Sequence, residues 1–381
     1  MGPLAGVRVL EFEAIGPGPF CGMMLADMGA DVLLVDRPAD PGLGLGRNRA
    51  ADVMLRGRRS VTLDLKSRDG AAAALLLAGK ADALIEGFRP GVMERLGLAP
   101  AAVLAANPKL VYGRMTGWGQ DGPLAPRAGH DINYIALSGA LHAIGRRGEA
   151  PVPPLNLVGD FGGGGMLLAF GIACALVEAQ RSGRGQTVDA AMVEGASTLA
   201  AMFAGMLHEG KWTETRGDNA LDSGAPWYDV YRTADDGFVA IGAIEAKFYA
   251  ELLERLGLAA AKLPAQHDRA GWPELRRRFA AAFRSKTRDE WCHVFDGADA
   301  CFAPVLTFSE ARAHPHNVAR GAHVAVGGVP QPAPAPRFSR TPGAVSRPPP
   351  ERRAHGRAAL GDWGFSPDEI ERLGALGLGF G

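Results

Sequence analysis

The sequence has little of several features that mark specialised classes of protein. Only four of its 381 residues are cysteines, and they form neither a Cys-x-x-Cys pair nor a Cys/His cluster at the spacing of zinc ligands. We therefore expect reduced, buried thiols and no metal site. Lys plus Arg and Asp plus Glu both number 41, so no net charge attracts nucleic acid or an anionic membrane. An anionic ligand would have to be bound by local arginine clusters.

Long apolar runs are also missing. The longest, residues 166–177, is too short to span a bilayer and contains Gly171 and Cys174, so it predicts a buried core helix. The first residues do not combine a basic segment, an apolar run and a cleavage site, which a secretion signal requires. These absences predict a cytoplasmic protein with neither a membrane nor a nucleic acid as partner.

What the sequence does contain is an alternation of short β-branched runs with helical patterns. Residues 7–12 and 32–35 read as strands, and residues 20–28 between them read as a helix. Pro17 opens this helix and Gly29 closes it, which is the usual asymmetry of helix ends. Strands separated by helices predict an α/β fold with a parallel sheet. A further strand is expected at 61–65.

The composition changes in the second half of the chain, where residues 225–325 combine a strand-like run at 238–242 with helical spacings and predict a small α+β domain. Residues 329–350 are rich in proline and favour an extended connector. Ser366 and Glu369 form a capping box before a last helix.

Two glycine-rich segments resemble phosphate-binding loops but fail the full patterns. Gly42, Gly44 and Gly46 lack the third glycine of a dinucleotide fingerprint and follow no strand, while 162–165 lack the Lys and Ser/Thr of a P-loop. The second segment has two interpretations. The glycines either allow close helix packing or precede a helix and turn free backbone N–H groups toward an anion.

Three residues are candidates for chemistry, and each also has an ordinary structural interpretation. His130 lies in the loop-like run 128–134, where most histidines are surface residues. Asp160 ends the run 151–160 and could be an N-cap. Glu245 follows a strand of the small domain, where a carboxylate often complements a helix N-terminus.

Several motifs occur together in one order: GPGPF, DRP, DLK, EGFRPG, RMTGWGQDGP, AGHDINY and NLVGDFGGG. Together they resemble the α-methylacyl-CoA racemases, which have the family III CoA-transferase fold, and the resemblance extends over the whole chain. It implies an interlocked homodimer. Each chain would have a large Rossmann-like α/β domain at 1–200 and 326–381, a linker at 201–224 and the small α+β domain at 225–325.

The resemblance implies roles for the three candidates. His130 and Asp160 match the two acid–base residues of the racemases, and Glu245 matches the carboxylate that pairs with the histidine. The corresponding motif of plain CoA-transferases resembles GYD, whereas this chain has Gly129-His130-Asp131. His130 therefore favours racemisation over the alternative, CoA transfer through an aspartyl anhydride, and the three residues together argue against a binding protein without catalysis.

The resemblance also implies contacts with the CoA part of the substrate. Those contacts fall on Arg37, Leu63, Asp64, Leu65, Lys66, Gly87, Phe88, Arg89, Arg95, Gly129, Asp131, Ile132, Asn133 and Tyr134. Arginines after strand ends are suited to phosphates because guanidinium groups bind them in a bidentate manner. A further basic cluster, Arg56, Arg58 and Arg59, is read as a solvated loop that could also contribute.

The implied reaction is racemisation at the carbon beside a thioester, which needs a base on one face and an acid on the other. Asp160 can donate a proton at neutral pH only if its pKa lies above the usual value, so we expect it to be desolvated. The amides of 162–165 would then face the enolate oxygen. We expect no metal, flavin or PLP cofactor, and the acyl chain is not determined by the sequence.

Overall fold

A computed structural model describes residues 2–40, 42, 44–46 and 48–381, and the chain divides into two compact units. The α/β unit comprises Met1–Ser138, Leu155–Ala200 and Gly321–Gly381, and the second unit comprises Gly139–Pro154 and Ala201–Arg320. The strands are β1 (Arg8–Phe12), β2 (Asp31–Asp36), β3 (Arg58–Thr62), β4 (Ala83–Glu86), β5 (Val111–Thr116), β6 (Thr187–Ala191), β7 (Tyr228–Arg232), β8 (Phe238–Gly242), β9 (Phe302–Pro304), β10 (His323–Val326) and β11 (Val329–Pro332).

The α-helices are α1 (Pro17–Asp27), α2 (Arg68–Ala78), α3 (Val92–Arg95), α4 (Pro100–Ala106), α5 (Asp131–Leu137), α6 (Ala140–Ala143), α7 (Leu167–Ser182), α8 (Met192–Leu199), α9 (Ala201–His208), α10 (Ala246–Arg255), α11 (Trp272–Phe283), α12 (Arg288–Val294), α13 (Phe308–Ala313), α14 (Pro315–Ala319), α15 (Gly356–Asp362) and α16 (Pro367–Ala375). A π-helix, Leu157–Met166, precedes α7. The helical stretch Leu157–Ser182 is long and apolar enough to cross a membrane by length and composition, although helices in the core of other proteins pass the same test.

The α/β unit is built on a six-stranded parallel sheet in the order β3-β2-β1-β4-β5-β6. This confirms the predicted parallel α/β fold. Side chains of successive strand residues point to opposite faces, so Leu10 packs with Leu77 of α2 and Leu373 of α16 while Val9 packs with Ile172 of α7. The last two helices therefore cover part of the same face as α2.

The first β-α-β segment follows the predicted order with different helix bounds. Pro17 occupies the first helical position, three residues before the expected start, and Gly29 follows the helix with a left-handed φ of 97°. Glycine adopts this conformation at little cost because it has no Cβ. The two local signals thus set the ends of α1.

The third strand begins three residues earlier than predicted, because it starts with two buried arginines. Arg58 is fully buried and pairs with Glu11 of β1 at 2.9 Å, and Arg59 pairs with Asp31 of β2 and with Asp362. The expectation that this basic cluster forms a solvated loop was wrong. Carboxylates far away in sequence neutralise these guanidinium groups, so their charge is available to neither solvent nor CoA.

The glycines at 162–165 lie inside the π-helix, not before the first turn of a helix. A Cβ on Gly195 of α8 would lie 1.8 Å from the carbonyl oxygen of Gly163, and a Cβ on Gly163 would lie 2.6 Å from the nitrogen of Ala196. The glycines therefore allow the π-helix and α8 to touch. Their amides bond to carbonyls five residues earlier, as in any π-helix, so the expectation that they face an enolate was wrong.

The second unit contains an antiparallel sheet in the order β7-β8-β9, and its core is aromatic. Tyr231 packs on Phe279 and Phe283, and Trp291 packs on Phe283. The buried carboxylate of Asp229 binds Arg276 and also Arg146. This ion pair is one reason why residues 139–154, which were predicted within the large domain, group with this unit.

The last part of the chain belongs to the α/β unit. Val329–Pro332, the start of the expected proline-rich connector, forms β11 and pairs with β10, so the prediction of an extended connector was wrong over these residues. Beyond it the chain has no further strand before α15. The capping box before α16 is confirmed, since the Ser366 hydroxyl accepts from Glu369 N and the Glu369 carboxylate accepts from Ser366 N.

Candidate active site

The strand order places a crevice at the carboxyl edge of the sheet. The chain runs outward from β1 to β3 on one side and from β4 to β6 on the other, so the order reverses between β1 and β4. Open parallel sheets bind ligands at this reversal, where the two loops diverge. The loops that follow β1 and β4 contain Gly16 on one side and 87–89 on the other.

His130 is the residue immediately before α5 and is exposed. Its backbone is extended, with φ −132° and ψ 174°, and its amide donates to the Asn133 side-chain oxygen at 3.0 Å. Asn133 in turn donates its backbone amide to the carbonyl of His130 at 2.8 Å. These two bonds fix the backbone of His130 at the helix entrance.

Asp160 lies on the π-helix and is partly buried. Its Oδ2 accepts from the Asn156 side-chain nitrogen at 3.0 Å and lies beside Gly16, where a Cβ would approach it to 3.0 Å. Burial raises the pKa of the Asp160 carboxyl, Asp131 acts in the same direction, and Asn156 and His130 act against them. His130 directly precedes Asp131, and Asp131 Oδ1 accepts from the Asp160 amide at 2.6 Å, so the segments that carry the two predicted acid–base residues are in contact.

Asp131 and Tyr134 are buried residues of α5 near Asp160. Asp131 is 5% exposed, and its Oδ1 accepts from the backbone amide of Asp160 at 2.6 Å. The Tyr134 hydroxyl donates to the carbonyl of Gly129, and its ring meets Trp118 edge-on with centroids 4.7 Å apart. Burial is the main cause that raises the pKa of Tyr134 to about 12, so this phenol stays neutral in the physiological range.

Arg37, which follows β2, lies against Phe88, which follows β4. Its guanidinium lies 5.7 Å from the ring centroid of Phe88, and its backbone amide donates to Glu13 Oε2 at 2.8 Å. Arg352 binds the same Glu13 carboxylate at 2.7 Å. Two predicted CoA contacts from different loops thus share one surface.

The other predicted CoA contacts lie in the α/β unit in varied surroundings. Leu63 is buried in the core, so its side chain is not available to a ligand. Asp64 accepts from the amide of Lys66 at 3.0 Å and shapes that turn. Arg89 and Arg95 are exposed, and the charge of Arg89 reaches Tyr134. Leu65 and Gly87 lie in the segments after β3 and β4, Ile132 lies in the first turn of α5, and all three are partly or fully exposed.

Glu245 belongs to the second unit, where it is the exposed N-cap residue of α10 and its side chain makes no capping bond. Its negative charge contributes to raising the pKa of the Cys301 thiol, after burial of that thiol. The pairing of Glu245 with His130 stays a prediction.

A cavity of about 160 Å³ lies in the α/β unit at the ends of β1 and β2. It is walled by Glu11, Glu13 and Asp36, and two arginines balance these carboxylates. Arg49 binds Asp36 at 2.6 Å, and Arg352 approaches it to 3.4 Å. The cavity is far too small for an acyl-CoA and contains neither His130 nor Asp160.

Sequence reasoning missed two side chains that support the site. Asn156 stands four residues before Asp160 and binds its carboxylate, a spacing that the run NLVGD already contains. Glu13 anchors Arg37, although nothing in the sequence pairs them because strand β2 lies between. Only the fold brings that pair together.

Known proteins resemble this chain over nearly all of its length. Residues 4–356 match the pattern of CoA-transferase family III. "Alpha-methylacyl-CoA racemase" of Mus musculus is 49% identical over 97% of this chain and 96% of its own length, and that of Homo sapiens is 46% identical over the same shares. "Succinyl-CoA--D-citramalate CoA-transferase" of Chloroflexus aurantiacus is 33% identical over 98% of this chain and 97% of its own.

Among solved structures, a CaiB/BaiF family protein from Brucella suis superimposes with a TM-score of 0.81 at 26% identity, covering 95% of this chain and 99% of the other. The chain therefore belongs to CoA-transferase family III.

Proposed function

We propose that this protein is an α-methylacyl-CoA racemase that interconverts the 2R and 2S forms of 2-methylacyl-CoA thioesters. The observation that supports the proposal is the contact between the segments of His130 and Asp160, because Asp131, the residue after His130, accepts from the Asp160 amide at 2.6 Å. Relatives at 49% and 46% identity bear this name.

In the proposed reaction, one side chain removes the α-proton and the other returns a proton to the opposite face. The electrons of the C–H bond pass to the thioester oxygen as an enolate, and a new C–H bond forms from them. With neutral His130 as base, protonated Asp160 is the acid. In the reverse direction ionised Asp160 is the base and the imidazolium of His130 is the acid. The two side chains supply both proton transfers, so the reaction needs no cofactor.

The surroundings of Asp160 suit this double role. A surface carboxyl would be ionised at neutral pH and would be a poor acid. Burial raises the pKa of Asp160 and so increases its protonated fraction, while the Asn156 bond and His130 preserve some of the ionised form. Both protonation states that racemisation requires are therefore accessible.

Glu245 is proposed to orient His130 by accepting a hydrogen bond from the ring N–H that does not face the substrate, which would fix the tautomer and stabilise the imidazolium. Glu245→Ala should slow turnover without abolishing substrate binding. Unchanged turnover in this variant would remove Glu245 from the mechanism.

The CoA moiety is proposed to bind along the carboxyl edge of the sheet. Arg37 over Phe88 offers a cation and an aromatic face, and the exposed Arg89 offers a second cation. Arg37 follows β2 and Arg89 follows β4, so both stand beyond the carboxyl ends of strands of the same parallel sheet.

The protein is proposed to form an interlocked homodimer in the cytoplasm. Apolar side chains stand exposed on α7 and α8, including Phe170 at 67%, Val177 at 48% and Leu199 at 55%, and a second copy would cover them. The four cysteines are unpaired, as in a reducing compartment.

A second candidate function is CoA transfer, which the relatives named as CoA-transferases favour. In that reaction ionised Asp160 would attack the thioester carbonyl to form a mixed anhydride, and the released CoA thiolate would attack the aspartyl carbonyl and free the first carboxylate. A second carboxylate would then attack the aspartyl-CoA thioester, and the thiolate would return to the acyl carbonyl of the new anhydride and restore Asp160. Hydroxylamine would trap the anhydride. His130 has no evident role in such a reaction.

The deciding experiment follows deuterium entering the α-carbon of a 2-methylacyl-CoA in heavy water, together with loss of optical activity. We expect exchange and racemisation in the wild type and loss of both in His130→Ala. Transfer of CoA to an added carboxylic acid without exchange would assign the second function instead.

A further inference from the structure

We propose that Asp131 is a positioning residue of the proton-transfer pair, which holds Asp160 at its working distance from His130 and keeps a second carboxylate beside it. This inference rests on the proposed racemisation and adds a residue to it. Asp131 directly follows His130 in the chain and bonds to Asp160 through space. One side chain therefore joins the two elements that carry the acid and the base.

The contact is specific and buried. Asp131 Oδ1 accepts from the Asp160 amide at 2.6 Å, and the same oxygen lies 2.6 Å from where a Cβ on Gly159 would be. Position 159 therefore has to be glycine for the carboxylate to fit. The π-helix carries Asp160 directly after this glycine, so α5 and the π-helix are joined at the residue that the reaction uses.

The second oxygen of the same carboxylate is unusual. Asp131 Oδ2 is buried and has no hydrogen-bond partner among the residues that the structure describes. A carboxylate that served only to cap α5 or to anchor the π-helix would ordinarily have both oxygens paired or solvated, because an unpaired buried charge is costly. The effect that remains for this oxygen is electrostatic, because its negative charge acts on neighbouring ionisable groups.

That charge acts on Asp160. Two neighbouring carboxylates resist ionising together, so the negative charge of Asp131, which lies against the Asp160 backbone, favours the protonated form of Asp160. Within the described part of the chain, the charged groups that act on Asp160 are Asp131, which raises its pKa, and His130, which lowers it, and burial has the largest effect. Tyr134 also faces the pair but stays neutral.

The test separates anchoring from charge. Asp131→Asn keeps an oxygen for the Asp160 amide and removes the charge, whereas Asp131→Ala removes both. In Asp131→Asn we expect the limb of the kcat profile that belongs to Asp160 to move to lower pH by about one unit, with KM changed less than about twofold. Asp121→Asn, which removes an exposed loop carboxylate, should match the wild-type profile.

A second measurement does not depend on turnover. The Asp160 carboxyl is identified by carbon-13 NMR from the resonance that Asp160→Asn loses, and it is titrated in the wild type and in folded Asp131→Asn. A lower midpoint in the variant is expected. An unchanged midpoint together with an unchanged pH profile would overturn the role of Asp131 while wild-type exchange still stood, whereas a wild type that transfers CoA without α-exchange would overturn the racemase proposal itself.

Discussion

Two regions of the α/β unit bury ionisable side chains, and they differ in how completely those side chains are paired. Around β1–β3, Arg58 lies against Glu11 and Arg56 lies against Asp27, each with two guanidinium–carboxylate bonds. Around α5 and the π-helix, Asp160 has one side-chain donor and Asp131 keeps an oxygen without any. The fully paired ions of the first region hold strands together. A carboxylate with an unpaired oxygen, as in the second region, is the kind of group that can take part in proton transfer.

The strongest test of this difference replaces one buried carboxylate in each region with a neutral amide. Asp160→Asn should lower racemisation by about 10²–10⁴-fold, because it removes a general acid–base group, and should leave the free energy of unfolding unchanged or slightly higher. The asparagine no longer has to bury an ionisable group. Racemisation rates and urea unfolding curves measure the two effects.

Asp27→Asn is the matched control, since it makes the same chemical change in the paired region. It should lose stability and keep kcat in the protein that remains folded. If Asp160→Asn were the less stable of the two variants, the contrast between the regions would be wrong.

The next largest effect concerns the buried pair itself. Arg58→Ala should lower the free energy of unfolding by about 3–5 kcal/mol, because it leaves Glu11 as an unpaired charge inside the sheet. Arg357→Ala breaks a pair with Glu371 whose side chains are 52% and 70% exposed, and it should cost less than about 1 kcal/mol. If urea unfolding showed equal losses of unfolding free energy in the two variants, burial would not explain the larger contribution expected of Arg58.

The smallest expected effect concerns Glu86. Its carboxylate is paired, yet burial still disfavours its ionised form. It binds Arg114 and the amide of Phe88, but burial raises its pKa to about 7 from 4.5. Between these values the folded chain keeps a proton that the unfolded chain has lost, so the wild type loses stability as pH rises from 4.5 to about 7.

Glu86→Gln lacks that proton equilibrium. The unfolding free energy of the variant minus that of the wild type should therefore rise by about 2–3 kcal/mol across this pH range. Urea unfolding at several pH values measures it, and a difference that stays constant with pH would show that Glu86 is ionised throughout.

Elements that depend on neighbouring residues were predictable. Pro17 and Gly29 set the ends of α1, β8 has the predicted bounds of 238–242, and Ser366 with Glu369 starts α16. For the two helices the determining contacts lie within one or two turns, so a short window of sequence contains the whole cause, while the strand was visible from its run of β-forming residues.

Elements that depend on distant residues were not. The start of β3 was misplaced because Arg58 reads as a surface residue until Glu11, 47 positions away, is brought against it. The glycines of the π-helix were ambiguous for the same reason, since their partner Gly195 lies on a later helix. Hydrophobic periodicity carries no information about either contact.

The amino-acid sequence by itself determined the parallel α/β fold and the motifs of the family, because side-chain periodicity and turn chemistry are local properties. It also determined which residue types stand at 130 and 160. Only the tertiary structure decided that Asp131 binds the Asp160 amide and that Arg58 is buried against Glu11. The physical reason is that pKa values and ion pairs depend on burial and on short distances, which the chain acquires only when remote segments pack together.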